Sequence, residues 1–402
     1  MKLTSEQRRM LDGEAGDAVR KAMEILVALG NIYGAERLVP VSSVQISGVS
    51  YDNLGEAGLS FLRSMAEGGG KARVLTTLNP AGMDIENWQT LGISPEFARN
   101  QMRVLDAFKR MGVTATATCT PYLAGNLPHF GEHIAWAESS AVCFANAVIG
   151  ARTNREGGPS ALAASLTGFT PDYGLHRSEN RRPTMLVHVE TEIHNTRDFG
   201  ALGKAIGEKI QSTGEKQTPF ITGIPAASLE CLKSFCASIA TFGGTALFHM
   251  QDITPESIRF EKPAESIRIR KADLQEALAT LDEPDTAEKV DFVSLGCPHL
   301  SIKEIARIAA KLEGKHVRKE FWITTSRPIK QIADTMGYTR IIEKAGAKFA
   351  VDTCCVVAPI RGRFNTLATD SAKACYYAYA KNNFKTRFLP FDQVIEVALG
   401  ED

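Results

Sequence analysis

Three of the eight cysteines share a local setting. Cys119 follows the alternating, β-branched run 113–118 and stands two residues before Pro121. Cys297 sits in Gly296-Cys297-Pro298, directly after the apolar run 290–295. Cys354 sits in Thr353-Cys354 after the run 347–352. Each falls at the carboxyl end of an expected strand, where open α/β sheets present their functional residues. Thiolates bind soft metals, and their number bears on the chemistry. Four close the coordination of a 4Fe–4S cluster, as in electron carriers. With three, one iron stays open to water or substrate, which is the arrangement of a Lewis-acid site. Against this, no CxxC spacing links the cysteines, and a free cysteine is also a common buried small hydrophobe.

The remaining cysteines read differently. Cys143, Cys231, Cys236 and Cys375 fall inside helical stretches beside apolar neighbours and are expected in the core. Cys355, adjacent to Cys354, is expected to face away from it, because successive side chains on a strand point to opposite sides.

Five polar groupings complete the candidates. Ser47-Gly48-Val49-Ser50-Tyr51-Asp52-Asn53 offers backbone amides and a helix N-terminus to an anion, or is an ordinary β-to-α turn. Gly150–Gly158 holds Arg152, Asn154 and Arg155 in a glycine-rich loop suited to carboxylate or phosphate, or is a solvated loop. Glu138-Ser139-Ser140 either presents polar groups to a site or caps the following helix. Arg327 and Lys373 would add positive charge, or lie on the surface. His129 and His133 have metal-pair spacing, but Pro128, Gly131 and the lack of an HExxH motif make them structural.

These residues need elements to hold them. Apolar periodicity predicts helices over 16–30, 54–65 and 135–149, and one opened by Ser94-Pro95 and ending near Gly112. Strands are predicted over 38–46, 73–78 and 113–118, with a loop over 150–159. From Pro183 the alternation restarts, with strands 185–190, 219–222 and 245–250, helices 199–213 and 226–241, and a charged stretch 255–290. Strands 290–295, 320–325 and 347–352 follow, with a capping box at Ser301-Ile302-Lys303-Glu304 and a turn at Ser326-Arg327-Pro328. The expectation is an α/β protein of several doubly wound α/β/α units, divided as 1–182, 183–288 and 289–402, around a central cleft.

Bulk properties narrow the function class. The 46 basic residues balance the 46 acidic ones, and no basic run alternates with aromatics, so nucleic acid is not an expected partner. No apolar stretch approaches the ~18 residues of a membrane span, and the N-terminus lacks the apolar core of a signal peptide. A cytoplasmic address and reduced thiols are expected, since the cysteines are too sparse for a disulfide scaffold.

Taken together, Ser47-Gly-Val-Ser-Tyr51, Glu138-Ser-Ser-Ala-Val142, Gly150-Ala-Arg-Thr-Asn-Arg-Glu-Gly157, Gly296-Cys-Pro298 and Asp352-Thr-Cys354 resemble aconitase X. The resemblance spans nearly the whole chain, in the family's order. It implies an aconitase-like large subunit without the swivel domain, which would be a separate small subunit in a heterodimer. It implies an iron–sulfur cluster, 4Fe–4S or 3Fe–4S if the open iron is lost, on Cys119, Cys297 and Cys354. It also implies a proton-abstracting serine on the small subunit, so that no catalytic base is expected in this chain. The substrate site would include Gly48, Val49, Ser50, Tyr51, Ser139, Ser140, Arg152, Asn154, Arg155, Arg327 and Lys373. Within the family, the split form is similar to enzymes that dehydrate mevalonate 5-phosphate in isoprenoid synthesis, while other members dehydrate cis-3-hydroxyproline. The two arginines and the glycine turn favour the phosphorylated substrate. Two other classes stay open: a non-catalytic scaffold or electron carrier whose cluster is closed by Cys355, and a mononuclear zinc hydrolase.

Overall fold

The computed structural model describes residues 1–214 and 216–401. Its framework is three parallel sheets in chain order, and a two-stranded antiparallel pair, Leu38–Pro40 with Phe169–Pro171, lies outside them.

The first sheet runs in the order Leu75–Leu78, Ser43–Ile46, Ala135–Trp136. All four residues of Ser43–Ile46 are buried, so both faces of this central strand are covered, as a doubly wound sheet requires. Helices Asp17–Ile32 and Gly158–Thr167 pack as one pair, and Tyr51–Glu67 and Pro95–Arg110 as another. The last of these begins as its sequence dictates, with Ser94 Oγ accepting from Phe97 N and proline in the first turn.

The second sheet runs His249–Met250, Pro219–Thr222, Met185–Val189, Ser266–Ile269. Its helices Thr196–Gln211 and Leu229–Phe242 approach closely because glycines line the contact. A Cβ on Gly203 would stand 2.8 Å from Ser238 Cβ, and one on Gly207 would stand 2.7 Å from Gly243 N.

The third sheet has five strands, ordered Lys348–Val351, Glu320–Thr325, Phe292–Leu295, Thr366–Thr369, Lys385–Phe388. From Phe292–Leu295 the chain winds outward on one side and then returns to the other. That strand is the topological switch point, where α/β sheets bind ligands.

The apolar cores run across these sections. Met83, Leu91 and Ile93 pack with Phe292, Trp322 and Phe384, joining the first part of the chain to the last. Trp136 and Val142 share a core with Val187, Phe235 and Phe388. The sheets are therefore walls of one body.

Several elements depart from the sequence reading. Residues 38–46 form two strands because the chain changes partners at Val41 and Ser42. The run 113–118 is not a strand among the described residues. It makes one bridge, Thr77 with Thr114, then turns at Ala117, whose φ of 42° breaks the ladder. Thr116 Oγ1 lies 3.3 Å from both Leu78 N and Leu78 O, in place of a ladder partner. The stretch 135–149 divides into strand Ala135–Trp136, α-helix Ser139–Phe144 and a π-helical turn Ala145–Ile149. The charged stretch 255–290 contains strand Ser266–Ile269 and helix Lys271–Ala279. The turn expected at Ser326 opens a helix, Arg327–Thr335.

Candidate functional site

Cys119, Cys297 and Cys354 line one cavity of about 240 Å³. The rest of the lining is largely polar and includes Ser47, Asn53, Asn79, Glu138, Ser139, Ser140, Arg155, Lys373 and Lys381.

Each cysteine is held by a different backbone device. Cys119 follows the left-handed turn at Ala117, and the Thr118 carbonyl accepts from the buried Gln45 Nε2 at 2.9 Å. Cys297 follows Gly296, whose φ of 111° is closed to other residues. A Cβ at Gly296 would also fall 2.3 Å from the Thr324 carbonyl. The next peptide, Cys297-Pro298, is cis. Cys354 follows Asp352, itself left-handed at φ 64°. That carboxylate is bound by Arg327, which also reaches Asp84 Oδ1 at 3.0 Å.

Two opposing influences act on the three sulfurs. Burial pushes all three thiols above the usual cysteine range, Cys297 to about 12, and their mutual repulsion adds to this for Cys119 and Cys297. Each also receives hydrogen bonds that favour the thiolate. Cys119 takes one from the His299 amide at 3.2 Å, Cys297 one from Ser371, and Cys354 those of the Val356 and Val357 amides. Such a donor set suits sulfurs whose protons are displaced by metal. Among the described residues, no group of three His, Cys, Asp or Glu side chains stands close enough for one metal ion. What the cavity offers is three thiols, each with at least one hydrogen-bond donor, beside the Lys373 ammonium. The residues fit an iron–sulfur cluster.

Beside the sulfurs lies a buried ion pair, Lys373 Nζ to Glu138 Oε1 at 2.6 Å. Burial pulls the Lys373 ammonium down, but Glu138 and the neighbouring sulfurs outweigh it and hold it charged, above its ordinary value. Burial pushes Glu138 up, yet Lys373, Ser140 and the Ala141 amide bring it below the usual carboxylate range. Glu138 also caps helix Ser139–Phe144, accepting from Ala141 N at 2.6 Å. Both readings of Glu138-Ser139-Ser140 are therefore realised, the cap and the cavity wall.

The other predicted residues are dispersed. Arg155 and Lys373 line the cavity with the two serines. From the 47–53 turn, Ser47 and Asn53 line it, whereas Gly48, Val49, Ser50 and Tyr51 do not. Gln101 occupies that turn instead: its Oε1 accepts from Tyr51 N at 3.0 Å and its Nε2 donates to the Val49 carbonyl at 3.0 Å. Arg152 donates to the His176 carbonyl and Ser178 Oγ, and Asn154 ties the Tyr173 carbonyl to Leu175 N. Arg327 faces a second depression with Asp84 and Glu86. Cys355 is buried with Met83, Leu91 and Phe384, off the cavity. Cys143, Cys231, Cys236 and Cys375 are buried in helices.

Sequence reasoning missed Asn79 and Lys381. Asn79 follows strand Leu75–Leu78, so the strand-end rule that found the cysteines points to it too. Its buried Oδ1 has no partner among the described residues. Lys381 sits in the π-helical turn Ala378–Asn382, and nothing local marks it.

The models of the aconitase X first, second and third domains match residues 1–179, 183–279 and 290–400. The chain belongs to the aconitase X family. A phosphomevalonate dehydratase large subunit of Methanocaldococcus jannaschii is 47% identical over 388 residues, covering 94% of this chain and 95% of that one. A cis-3-hydroxy-L-proline dehydratase of Pseudomonas aeruginosa is 32% identical, with 99% of this chain matching 70% of that longer one. The crystal structure of Thermococcus kodakaraensis aconitase X in its holo-form superposes with a TM-score of 0.92 at 43% identity, over 99% of this chain and 100% of that one.

Proposed function

We propose that this aconitase X chain is the large subunit of a hydro-lyase that removes water from (R)-mevalonate 5-phosphate to give trans-anhydromevalonate 5-phosphate in isoprenoid synthesis. Its partners are an iron–sulfur cluster, 4Fe–4S in its complete form, held by Cys119, Cys297 and Cys354, and a small swivel-domain subunit. The observation that carries this reading is the convergence of three thiols, two buried and Cys297 half-buried, on one cavity that Arg155, Lys373 and Lys381 also line, in a chain 47% identical to a phosphomevalonate dehydratase large subunit over almost its full length. No described helix is long and apolar enough to cross a membrane, and the cytoplasm is the compartment that keeps all eight cysteines free.

When bound, such a cluster supplies a Lewis acid for a departing hydroxyl. The chain's own residues do the rest. Lys373, fixed by Glu138, sets a positive charge beside Cys119 and Cys297 and offsets the negative charge of their thiolates. Arg155 lines the cavity, and Lys381, whose Nζ donates to the Val357 carbonyl at 2.9 Å, keeps further N–H donors; both are placed for the anionic ends of the substrate. Ser139 and Ser140 donate to Glu138, and Ser140 Oγ also accepts from Lys373 Nζ at 3.5 Å, so the Ser139 oxygen is the freer acceptor for a substrate hydroxyl. Glu138 is engaged by Lys373, Ser140 and an amide, a poor state for a general base. The proton alpha to the carboxylate is then taken by the small subunit.

The test is anaerobic reconstitution of the chain with iron, sulfide and the small subunit, followed by assay of both substrates. The expected result is dehydration of mevalonate 5-phosphate and none of cis-3-hydroxyproline. The opposite preference would refute the assignment. Cys355→Ser should keep cluster and turnover, whereas Cys297→Ser should lose both; loss with Cys355→Ser would instead favour the closed-cluster carrier.

A further inference from the structure

His299 lies two residues after Cys297, is fully buried, and does not line the cavity. Its backbone N–H donates to Cys119 Sγ at 3.2 Å. Its Nε2 is 2.9 Å from the Thr353 carbonyl oxygen, which can only accept, so Nε2 carries the ring hydrogen. Nδ1, 2.9 Å from Thr118 Oγ1, is then bare and accepts that hydroxyl's hydrogen. The His299 carbonyl accepts from Lys233 Nζ at 2.9 Å, and Lys233 is itself paired with Glu304 at 2.6 Å. One residue thus binds the loop before Cys119, Cys119 itself, the loop before Cys354, and helix Leu229–Phe242 of the middle section.

An ordinary buried histidine need not be used this fully. His176 and His249 are also buried, and each leaves one ring nitrogen without a partner among the described residues. Both nitrogens of His299 are engaged, each on the residue that precedes a candidate ligand.

We propose that His299 is the positioning residue that clamps the three cysteine loops into one socket, so that its ring sets how tightly the cluster is held. This rests on the reading that the three thiolates bind an iron–sulfur cluster. No local motif ties Cys119, Cys297 and Cys354 together, so their spacing depends on bonds between distant loops, and the ring supplies two of them directly. Partners that orient metal ligands typically change metal affinity about 10–100-fold when removed.

The experiment uses the loaded full chain with His299→Ala and His299→Gln. Chelator-driven loss of visible absorbance, with iron and sulfide analysis, gives the release rate. Alkylation of the chelated chain, resolved cysteine by cysteine, gives the local loosening. Release is expected to be about 10–100-fold faster in H299A, with H299Q in between because its amide can keep one of the two contacts. Cys119 and Cys354 should alkylate faster, while Cys143, Cys236 and Cys375 keep their wild-type rates. Wild-type release from H299A, or equal acceleration at every cysteine, overturns the clamp and leaves His299 a plain core residue. If H299A does not fold, H299Q decides on the same two readouts. If the wild-type chain takes up no iron and sulfide, the cluster reading fails, and the clamp falls with it.

Discussion

Lys373 and Glu138 show how much of this site resides in single side chains. Both are nearly sealed from water, at 11% and 6% side-chain exposure, and face the sulfurs as a pair. Removing one partner of such a pair strands the other charge, which costs about 3–5 kcal/mol. Lys373→Met should therefore lower unfolding stability by that order, and Lys373→Met with Glu138→Met should recover much of it, measured by denaturant titration. A loss below about 1 kcal/mol would mean that the pair is solvated and weak. At this scale, sequence reading worked where a residue had a position in the fold to betray it. Cys297 and Cys354 were marked by the strands Phe292–Leu295 and Lys348–Val351 that precede them, whereas Cys119 was marked by a run that is not a strand in the fold. Arg152 was chosen for its glycine-rich loop and the motif around it, and in the fold its guanidinium donates to the His176 carbonyl and Ser178 rather than lining the cavity. Lys381 went unseen because a lysine in a polar run looks like any solvated lysine.

At the scale of elements, the turn after strand Phe292–Leu295 is the most constrained part of the site. Gly296 combines a φ of 111° with a Thr324 carbonyl that leaves no room for a Cβ. Gly296→Ala should cost at least about 1–3 kcal/mol in strain and displace Cys297. The expected outcome is a lower melting temperature together with reduced iron content after reconstitution; wild-type iron content would show that the turn adapts. The capping box at Ser301 and Glu304 and the strands Pro219–Thr222 and Glu320–Thr325 were legible because local signals and tertiary demand agree there. The run 113–118 misled because alternating β-branched residues announce a strand, whereas the fold needs an irregular segment that aims Cys119. Its threonines satisfy backbone groups that a ladder would otherwise pair.

For the molecule as a whole, the contacts that join the sections matter as much as the sheets. Asp370, at the end of strand Thr366–Thr369, accepts from Thr196 Oγ1 at 2.8 Å, at the start of the middle section's first helix. Burial raises its carboxyl to about 6, since the Thr196 bond only partly compensates. A raised acid holds its proton longer in the folded chain than in the unfolded one, so its contribution is most favourable below pH ~4 and declines as pH rises to ~6. Asp370→Asn, neutral throughout, should remove that decline and make the protein more stable at pH 7 by about 3 kcal/mol. Thermal melts at pH 5 and pH 7 would check this, and an unchanged pH dependence would count against a buried, protonated Asp370. The three-section division was read from the alternation of strands and helices. The way the sections interlock was not, because contacts such as Asp84–Arg327 and Met83–Phe292 join points far apart in the sequence. That interlocking also fixes an order of events in the cell. Cys119 leaves the ribosome long before Cys354 has been translated, and although Gln45 and Leu78 of its own section hold Thr118, the bonds to its sulfur and to the Thr118 hydroxyl come from His299. A nascent chain cannot complete the cavity, so on the proposed reading iron would be delivered to the finished polypeptide, with the earliest thiol kept reduced in the meantime.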